Sequence, residues 1–357
     1  MSNKFYSLEV VRLRKLTNDS VEVTLAIPAD NTPVFSYEAG QHLIFKYNHK
    51  GEELRRSYSL CTAPSENRWS VAVKKVDDGR FSAYVNEKLK VGDKLDVMPP
   101  TGKFTLTHGN KSNIVFFAAG SGITPIIAQI KDILYNHPDI QITLFYGNKG
   151  FNSVMFREDL EALKNKFIQR FSVHHIFSRE KSGIDMYFGR MTKEKCNDFA
   201  QHLFNPREID DVMICGPNNM VFDIQEALQE QGISKDKIHI ELFNTDGIQK
   251  ANDAQELSNQ DLGKESQITL QLDGNIYEFS LGYAQQSILD AGIAHGADLP
   301  YSCKGGVCST CKAKITSGEV VMDTNYALEE DEVKAGYVLL CQSHPRTEKV
   351  SVDFDQK

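Results

Sequence analysis

Three cysteines stand within one nine-residue stretch, "CKGGVCSTC", and a fourth follows well downstream. The spacing runs Cys303, four residues, Cys308, two residues, Cys311, then twenty-nine residues to Cys341. Four thiolates in this order match the ligand set of a [2Fe–2S] cluster. A structural zinc site is the alternative, but zinc ligands usually come as two short paired knuckles, and here three share one loop. Gly305 and Gly306 suit a loop that turns tightly and aims N–H groups at sulfur, because neither carries a Cβ. His295 and His344 lie nearby in sequence, yet a Rieske centre would replace two cysteines by histidines, and all four cysteines are present.

Two other groups of residues are suited to nucleotides. In "RRSYSL", residues 55–60, Arg56 can fork onto phosphate, Tyr58 offers an aromatic face with a polar tip, and Ser57 and Ser59 supply hydroxyls. Val73 and Lys74 then end a strand-like run, and Gly79, Arg80, Phe81 and Ser82 stand ahead of a helix-like one. A helix N-terminus there would favour an anion, while a serine N-cap without ligand is the alternative. In "FFAAGSGITPII", Gly120, Gly122, Thr124 and Pro125 form a Gly-x-Gly-x-x-Pro turn between a predicted strand and a predicted helix. This departs from the Gly-x-Gly-x-x-Gly fingerprint, and the proline suits a first helical turn. "CGP", Cys215, Gly216 and Pro217, with Met220 after it, ends a predicted parallel strand, the edge at which α/β sheets bind ligands.

These residues need scaffolds, and the chain of 357 residues offers three textures. Residues 1–108 read as short alternating strands such as "SVEVTLAIP" and "WSVAVKKV", which predicts an antiparallel β-barrel. Residues 109–243 alternate apolar runs ("NIVFFAAG", "QITLFYGN", "DDVMICGP") with helix-like stretches, which predicts an α/β domain with a parallel sheet. Residues 244–265 are polar and read as a linker; residues 266–357 carry the cysteines. His174 and His175 fall in a strand-like run, so one is expected exposed and the other buried.

Composition excludes several classes. The chain is 41% hydrophobic and 25% charged, and no apolar run approaches the ~20 residues that span a bilayer. The start, "MSNKFYSLEV", lacks the basic and apolar regions of a secretory signal, so a cytoplasmic protein without disulfides is expected. Of the net charge of −8, most sits in the last segment, which holds 7 basic and 13 acidic residues. That argues against nucleic acid and suits docking onto a basic protein surface, with an acidic surface that serves solubility as the alternative.

Taken together, the flavin and nucleotide motifs resemble the ferredoxin–NADP reductase superfamily. The resemblance implies FAD, with Arg56 at its phosphate, Tyr58 on the isoalloxazine, Ser59 near N5 and the Gly79–Ser82 segment at the pyrophosphate. It also implies a catalytic set of Tyr58, Ser59 and Cys215, the last positioning the nicotinamide ring and not acting as a nucleophile. In "FSRE", Ser178 and Arg179 resemble the family's adenosine-side motif and suit the 2′-phosphate of NADPH, although Glu180 stands beside them. Phe243, in "HIELF", would cover the flavin face; a core phenylalanine closing the last strand is the alternative.

The order of domains resembles the electron-transfer reductases that serve bacterial oxygenases, with a C-terminal α+β, β-grasp ferredoxin domain. Over nearly the whole chain, "LPYSCKGGVCSTCKAKITSGEV", "NYALEEDEVKAGYVLLCQSHP", "YGNK" and "FREDLEALK" are similar to the reductase subunits of phenylacetyl-CoA epoxidases. The resemblance implies NADPH as two-electron donor, a flavin that splits the pair, a cluster that carries single electrons, and a di-iron oxygenase as partner. Reductases of other aromatic-ring, alkane or steroid oxygenases are the alternative clients. A redox-sensing or binding subunit without significant turnover is the alternative of another class.

Overall fold

The computed structural model describes residues 4–107, 109, 111–181, 183–243 and 263–356. The expected linker lies outside the described residues except for its last three positions, and Glu265 already belongs to a strand. The chain forms two units, Ser2–Leu242 and Phe243–Lys357.

The first unit opens with β1 (Tyr6–Thr17), β2 (Ser20–Leu25), β3 (His42–His49), β4 (Glu52–Ser59), β5 (Trp69–Lys74), α1 (Arg80–Glu87) and β6 (Lys94–Thr101). The strands pair antiparallel in the order β4-β3-β6-β1-β2-β5. A bridge between Leu60 and Val71 brings the end of β4 back to β5 and closes the sheet into a barrel. Alternation puts Val10, Val23, Leu43, Phe45, Val71, Val73 and Val97 inside, each at most 1% exposed. Such burial is worth ~1.5–3 kcal/mol per large side chain. The other face of β2 is also covered: Glu22 and Thr24 are buried despite their polarity.

The same unit continues with β7 (Asn113–Ala119), α2 (Ile123–Asn136), β8 (Gln141–Asn148), α3 (Arg157–Lys166), β9 (Phe171–Phe177), α4 (Lys193–His202), β10 (Asp211–Cys215), α5 (Asn218–Glu230) and β11 (Ile238–Glu241). All five strands are parallel, ordered β11-β10-β7-β8-β9. Their runs are apolar without alternation because helices cover both faces of such a sheet. The core does not stop at the sheet. Cys61, Ala72 and Phe104 from the barrel region pack with Phe116, Ile126, Ile127 and Ile130.

The second unit holds β12 (Glu265–Leu272), β13 (Asn275–Gly282), α6 (Ile288–Ala294), β14 (Lys312–Ser317), β15 (Val320–Met322), α7 (Glu330–Lys334), β16 (Tyr337–Leu339), β17 (Ser343–Pro345) and β18 (Lys349–Asp353). Asp273 and Gly274 both take positive φ, 49° and 76°, the demand of a two-residue hairpin turn between β12 and β13. The main sheet is mixed, β13-β12-β18-β14-β16, with β12 and β18 parallel. Ile268, Leu270, Leu289, Leu299, Val350 and Val352 form its core under α6. The architecture is the expected one: antiparallel barrel, parallel α/β sheet and α+β β-grasp unit. Among the described residues no helix is long and apolar enough to cross a membrane.

Candidate active site and cluster site

The parallel sheet presents its ligand edge where its strands end. β10 ends at Cys215, and the register with β11 sets Glu241 directly beside it. Cys215 Sγ lies 4.0 Å from Glu241 Oε2, and Ser59 Oγ, at the end of β4, donates to the same oxygen at 3.4 Å. Burial pushes the Glu241 carboxyl up to about 8, partly opposed by the Ser59 hydrogen bond. Burial, and then the Glu241 charge, push the Cys215 thiol well above its ordinary range. A buried neutral thiol is a poor nucleophile. Glu241 escapes sequence reasoning although it lies in "HIELF"; its only signal is an acid ending the last strand of a parallel sheet.

The glycine turn is locked against the same edge. A Cβ on Gly122 would lie 2.1 Å from the Cys215 carbonyl oxygen, so no side chain fits there. Gly120 takes φ +54°, and a single tight turn, Gly120–Gly122, leads into α2, whose start has no side-chain cap and whose Ile123 N–H bonds back to the Gly120 and Ser121 carbonyls. Thr124 Oγ1 donates to the Ser121 carbonyl at 3.0 Å, and Pro125 occupies the first turn of α2. A Cβ on Gly216 would meet Met220 Cε at 2.5 Å and Ala119 Cβ at 3.2 Å, and Pro217 leads into α5.

Ser178 and Arg179 follow β9, where Ser178 Oγ donates to the Asn148 carbonyl at 3.3 Å and Arg179 N to the Lys149 carbonyl at 3.0 Å. The Arg179 side chain is exposed. Its neighbour Glu180 is engaged: its Oε2 accepts from Phe151 N at 2.8 Å. Phe243 is 42% exposed, so it is not a core phenylalanine.

On the barrel, Tyr58 packs 5.6 Å from Phe81 and 5.9 Å from Phe45, which joins the β4 motif to the first turn of α1. Burial raises the Tyr58 phenol above its ordinary range. Arg56 is exposed and donates to the Arg55 carbonyl at 2.7 Å. Arg80 pairs through both nitrogens with Glu52, at 2.5 and 3.0 Å. The helix begins earlier than the sequence suggests, with Gly79 as N-cap and Ser82 inside the first turn, where its Oγ accepts from Val76 N at 3.3 Å. A Cβ on Gly79 would meet that hydroxyl at 2.2 Å. A bare, uncapped helix start beside an exposed arginine fits a phosphate. Val73 points its side chain into the barrel core, its carbonyl accepts from Asn86 at 3.1 Å, and Lys74 lies 3.6 Å from Asp19.

In the second unit, pairing of Lys312 with Leu339 sets the start of β14 beside the turn after β16. Leu340 N donates to the Cys311 carbonyl at 3.1 Å, which brings Cys341 to the loop despite its distance in sequence. Cys308 Sγ lies 3.1 Å from Cys303 Sγ, and Cys341 contacts both Cys303 and Cys311. Contacts from Cys308 and Cys341 hold the Cys303 thiol far below its ordinary range, and the same sharing raises Cys308 and Cys341. Gly305 N donates to Cys303 Sγ at 3.3 Å, and the Val307 amide also serves that sulfur. The four thiols form a chain of contacts, Cys308 to Cys303 to Cys341 to Cys311, a four-thiolate donor set that fits a two-iron group.

The two glycines of the loop differ in their tasks. Gly306 takes φ +74° and a Cβ there would meet Thr324, whereas the other left-handed position is Lys304, at φ +51°, and not Gly305. His295 Nδ1 donates to the Ala291 carbonyl at 2.9 Å, and His344 faces Asp323 at 3.4 Å, so neither joins the thiols. His174 and His175 are both half-buried, because Tyr187 and Glu161 approach the two sides of the strand edge.

Comparison with known proteins matches three family profiles: an oxidoreductase FAD-binding domain over residues 7–106, an oxidoreductase NAD-binding domain over 116–226, and a 2Fe-2S iron-sulfur cluster binding domain over 270–346. The chain is 42% identical over 355 residues to a subunit of the 1,2-phenylacetyl-CoA epoxidase of Escherichia coli K12, covering 99% of this chain and 98% of that one. The chain belongs to the family of that subunit. It is an NAD(P)H-dependent oxidoreductase of the FAD and [2Fe–2S] reductase class. This reductase is also 30% identical to the ferredoxin reductase component of a 3-ketosteroid-9-alpha-monooxygenase from Rhodococcus rhodochrous, over 95% of this chain and 93% of the relative. Phthalate dioxygenase reductase has the same fold, with a TM-score of 0.60 at 22% identity and 98% of both chains covered.

Proposed function

We propose that this reductase takes electrons from NADPH through FAD and the [2Fe–2S] cluster to a di-iron oxygenase that epoxidises the ring of phenylacetyl-CoA, in the cytoplasm. Residues 1–108, 109–243 and 266–357 are its flavin, nucleotide and cluster domains, with 244–265 between them. The observation that carries the reading is the meeting of Ser59, Cys215 and Glu241 where the barrel motif and the nucleotide edge touch.

The bound flavin supplies the exchange between a two-electron donor and a one-electron carrier. The protein's own groups do the rest. Arg56 and the uncapped start of α1 hold phosphate, and Tyr58 walls the ring. The α2 turn at Gly120–Gly122 takes the nucleotide's phosphates, with Thr124 and Pro125 shaping the turn and Gly216, Pro217 and Met220 lining the nicotinamide side. With its carboxyl near 8, Glu241 holds a proton for much of the time at neutral pH, and its Oε2 accepts from Ser59 Oγ. Ser178 and the exposed Arg179 suit the extra phosphate of NADPH, while Glu180 is tied to the Phe151 amide and does not compete for it.

The client is tested by reconstitution. Mixed with a phenylacetyl-CoA epoxidase oxygenase component, the reductase should consume NADPH in step with phenylacetyl-CoA added. Coupling to a steroid or other ring oxygenase, and not to this one, would overturn the assignment of client.

A further inference from the structure

One helix carries both the nucleotide-side glycine turn and the seam with the barrel. α2 begins beside Gly122, pressed onto Cys215, and further along it buries two polar side chains, Gln129 at 1% exposure and Lys131 at 7%. Gln129 Nε2 donates to the Phe104 carbonyl at 2.5 Å. Lys131 Nζ donates to the Cys61 carbonyl at 3.4 Å and pairs with Glu66 at 3.3 Å. Cys61 stands two residues beyond Ser59. Glu66 is itself held, with Oε1 accepting from Ala63 N at 2.8 Å and Oε2 pairing with Arg68 at 2.9 Å. Arg68 reaches Glu22 at 3.7 Å, and Arg14 bonds Glu22 at 2.6 Å and Asp159 of α3 at 2.9 Å.

Among the described residues, ion pairs therefore cross the seam at Lys131–Glu66 and at Arg14–Asp159, joined on the barrel by Glu22 and Arg68. The crossings differ at one end: the Lys131 side chain is 9% exposed and Glu66 29%, while Arg14 and Asp159 are 28% and 21% exposed. Around Lys131 the seam is apolar, built from Cys61, Ala72, Phe104, Ile126, Ile127 and Ile130. An apolar side chain would fill that space without the cost of desolvating an ammonium. What the lysine adds is direction, because its partners fix one placement of α2 along the barrel.

We propose that Lys131 is a positioning residue for hydride transfer, clamping α2 to the Cys61 carbonyl and Glu66 so that the glycine turn and Ser59 keep one fixed gap. The proposal rests on the flavin and nicotinamide reading given under Proposed function. A small misplacement of reacting groups can cost on the order of 100-fold in rate.

The test compares wild type, Lys131→Met, Lys131→Arg and Glu66→Gln in anaerobic stopped-flow reduction by NADPH, and by hydrogen exchange of the protein before cofactor loading. Lys131→Met should lower the limiting rate of flavin reduction roughly 10- to 100-fold with half-saturation little changed, and should raise the isotope effect of 4-deuterated NADPH. Lys131→Arg should recover part of the rate. Residues 61–68 and 123–136 should exchange faster in Lys131→Met, and Glu66→Gln should show the same pattern more weakly. Asp159→Asn, at the wetter crossing, should stay within about twofold of wild type. A Lys131→Met rate within about twofold of wild type, or a loss seen only as a lower melting temperature, would overturn the proposal. If Lys131→Met does not retain flavin, Glu66→Gln decides alone by the same criteria. A wild type that NADPH fails to reduce would instead overturn the underlying reading, and the role of Lys131 with it.

Discussion

The cluster loop and the flavin–nicotinamide edge both gather reactive groups, but from different ranges of sequence. In the loop, three of the four sulfurs come from nine consecutive residues, and the left-handed turns at Lys304 and Gly306 set their direction. At the edge, Ser59 and Glu241 are 182 positions apart and meet only because barrel and sheet share a core. The loop should therefore fail locally and alone, whereas the edge should respond to changes made far from it.

The most severe break is Cys308→Ser. It should abolish the cluster absorbance and electron delivery to cytochrome c, while flavin bleaching by NADPH stays within about twofold of wild type. Equal loss of both signals would erase the contrast between the two regions. Next comes Gly122→Ala, whose Cβ would lie 2.1 Å from the Cys215 carbonyl oxygen, so that backbone must shift. We expect a loss of stability of ~1–3 kcal/mol and a fall in flavin reduction of roughly 100-fold, with the cluster spectrum unaltered.

Arg179→Ala sharpens the picture of the nucleotide end. Losing a charge-assisted hydrogen bond of ~1.5–3 kcal/mol should raise the half-saturating NADPH concentration about 10- to 100-fold and leave NADH unaffected. Equal effects on both nucleotides would remove Arg179 from the 2′-phosphate.

The most gradual effect is one of pH. Glu241 is raised from its ordinary 4.5 to about 8 in the folded chain, so folding favours its protonated form. Its contribution to stability is complete below about pH 4.5 and is lost as pH rises through about 8. The slope from this one group is at most about 1.4 kcal/mol per pH unit. In urea titrations followed by tryptophan fluorescence from Trp69, Glu241→Gln should flatten that part of the profile.

The same contrast governs what can be read from residues alone. The cysteine spacing is a local pattern, and the continuous apolar strands of residues 113–215 announce a sheet covered on both faces. Glu241 and Lys131 escape because nothing beside them in sequence distinguishes them from surface charges; their meaning comes from register with β10 and from the seam. Val73 groups with ligand-facing residues by its place beside Lys74, yet strand alternation turns its side chain into the core. Ser82 reads as a helix cap in sequence, but the chain enters α1 three residues sooner, at a glycine that has room for no side chain.

The most direct measurement is anaerobic stopped-flow absorbance of the wild-type protein, loaded with FAD and cluster, against NADPH and separately NADH. Rapid flavin bleaching followed by cluster bleaching, faster with NADPH, is the predicted result. Bleaching of neither centre by either nucleotide would contradict the reductase assignment and leave a redox-sensing or binding subunit in its place.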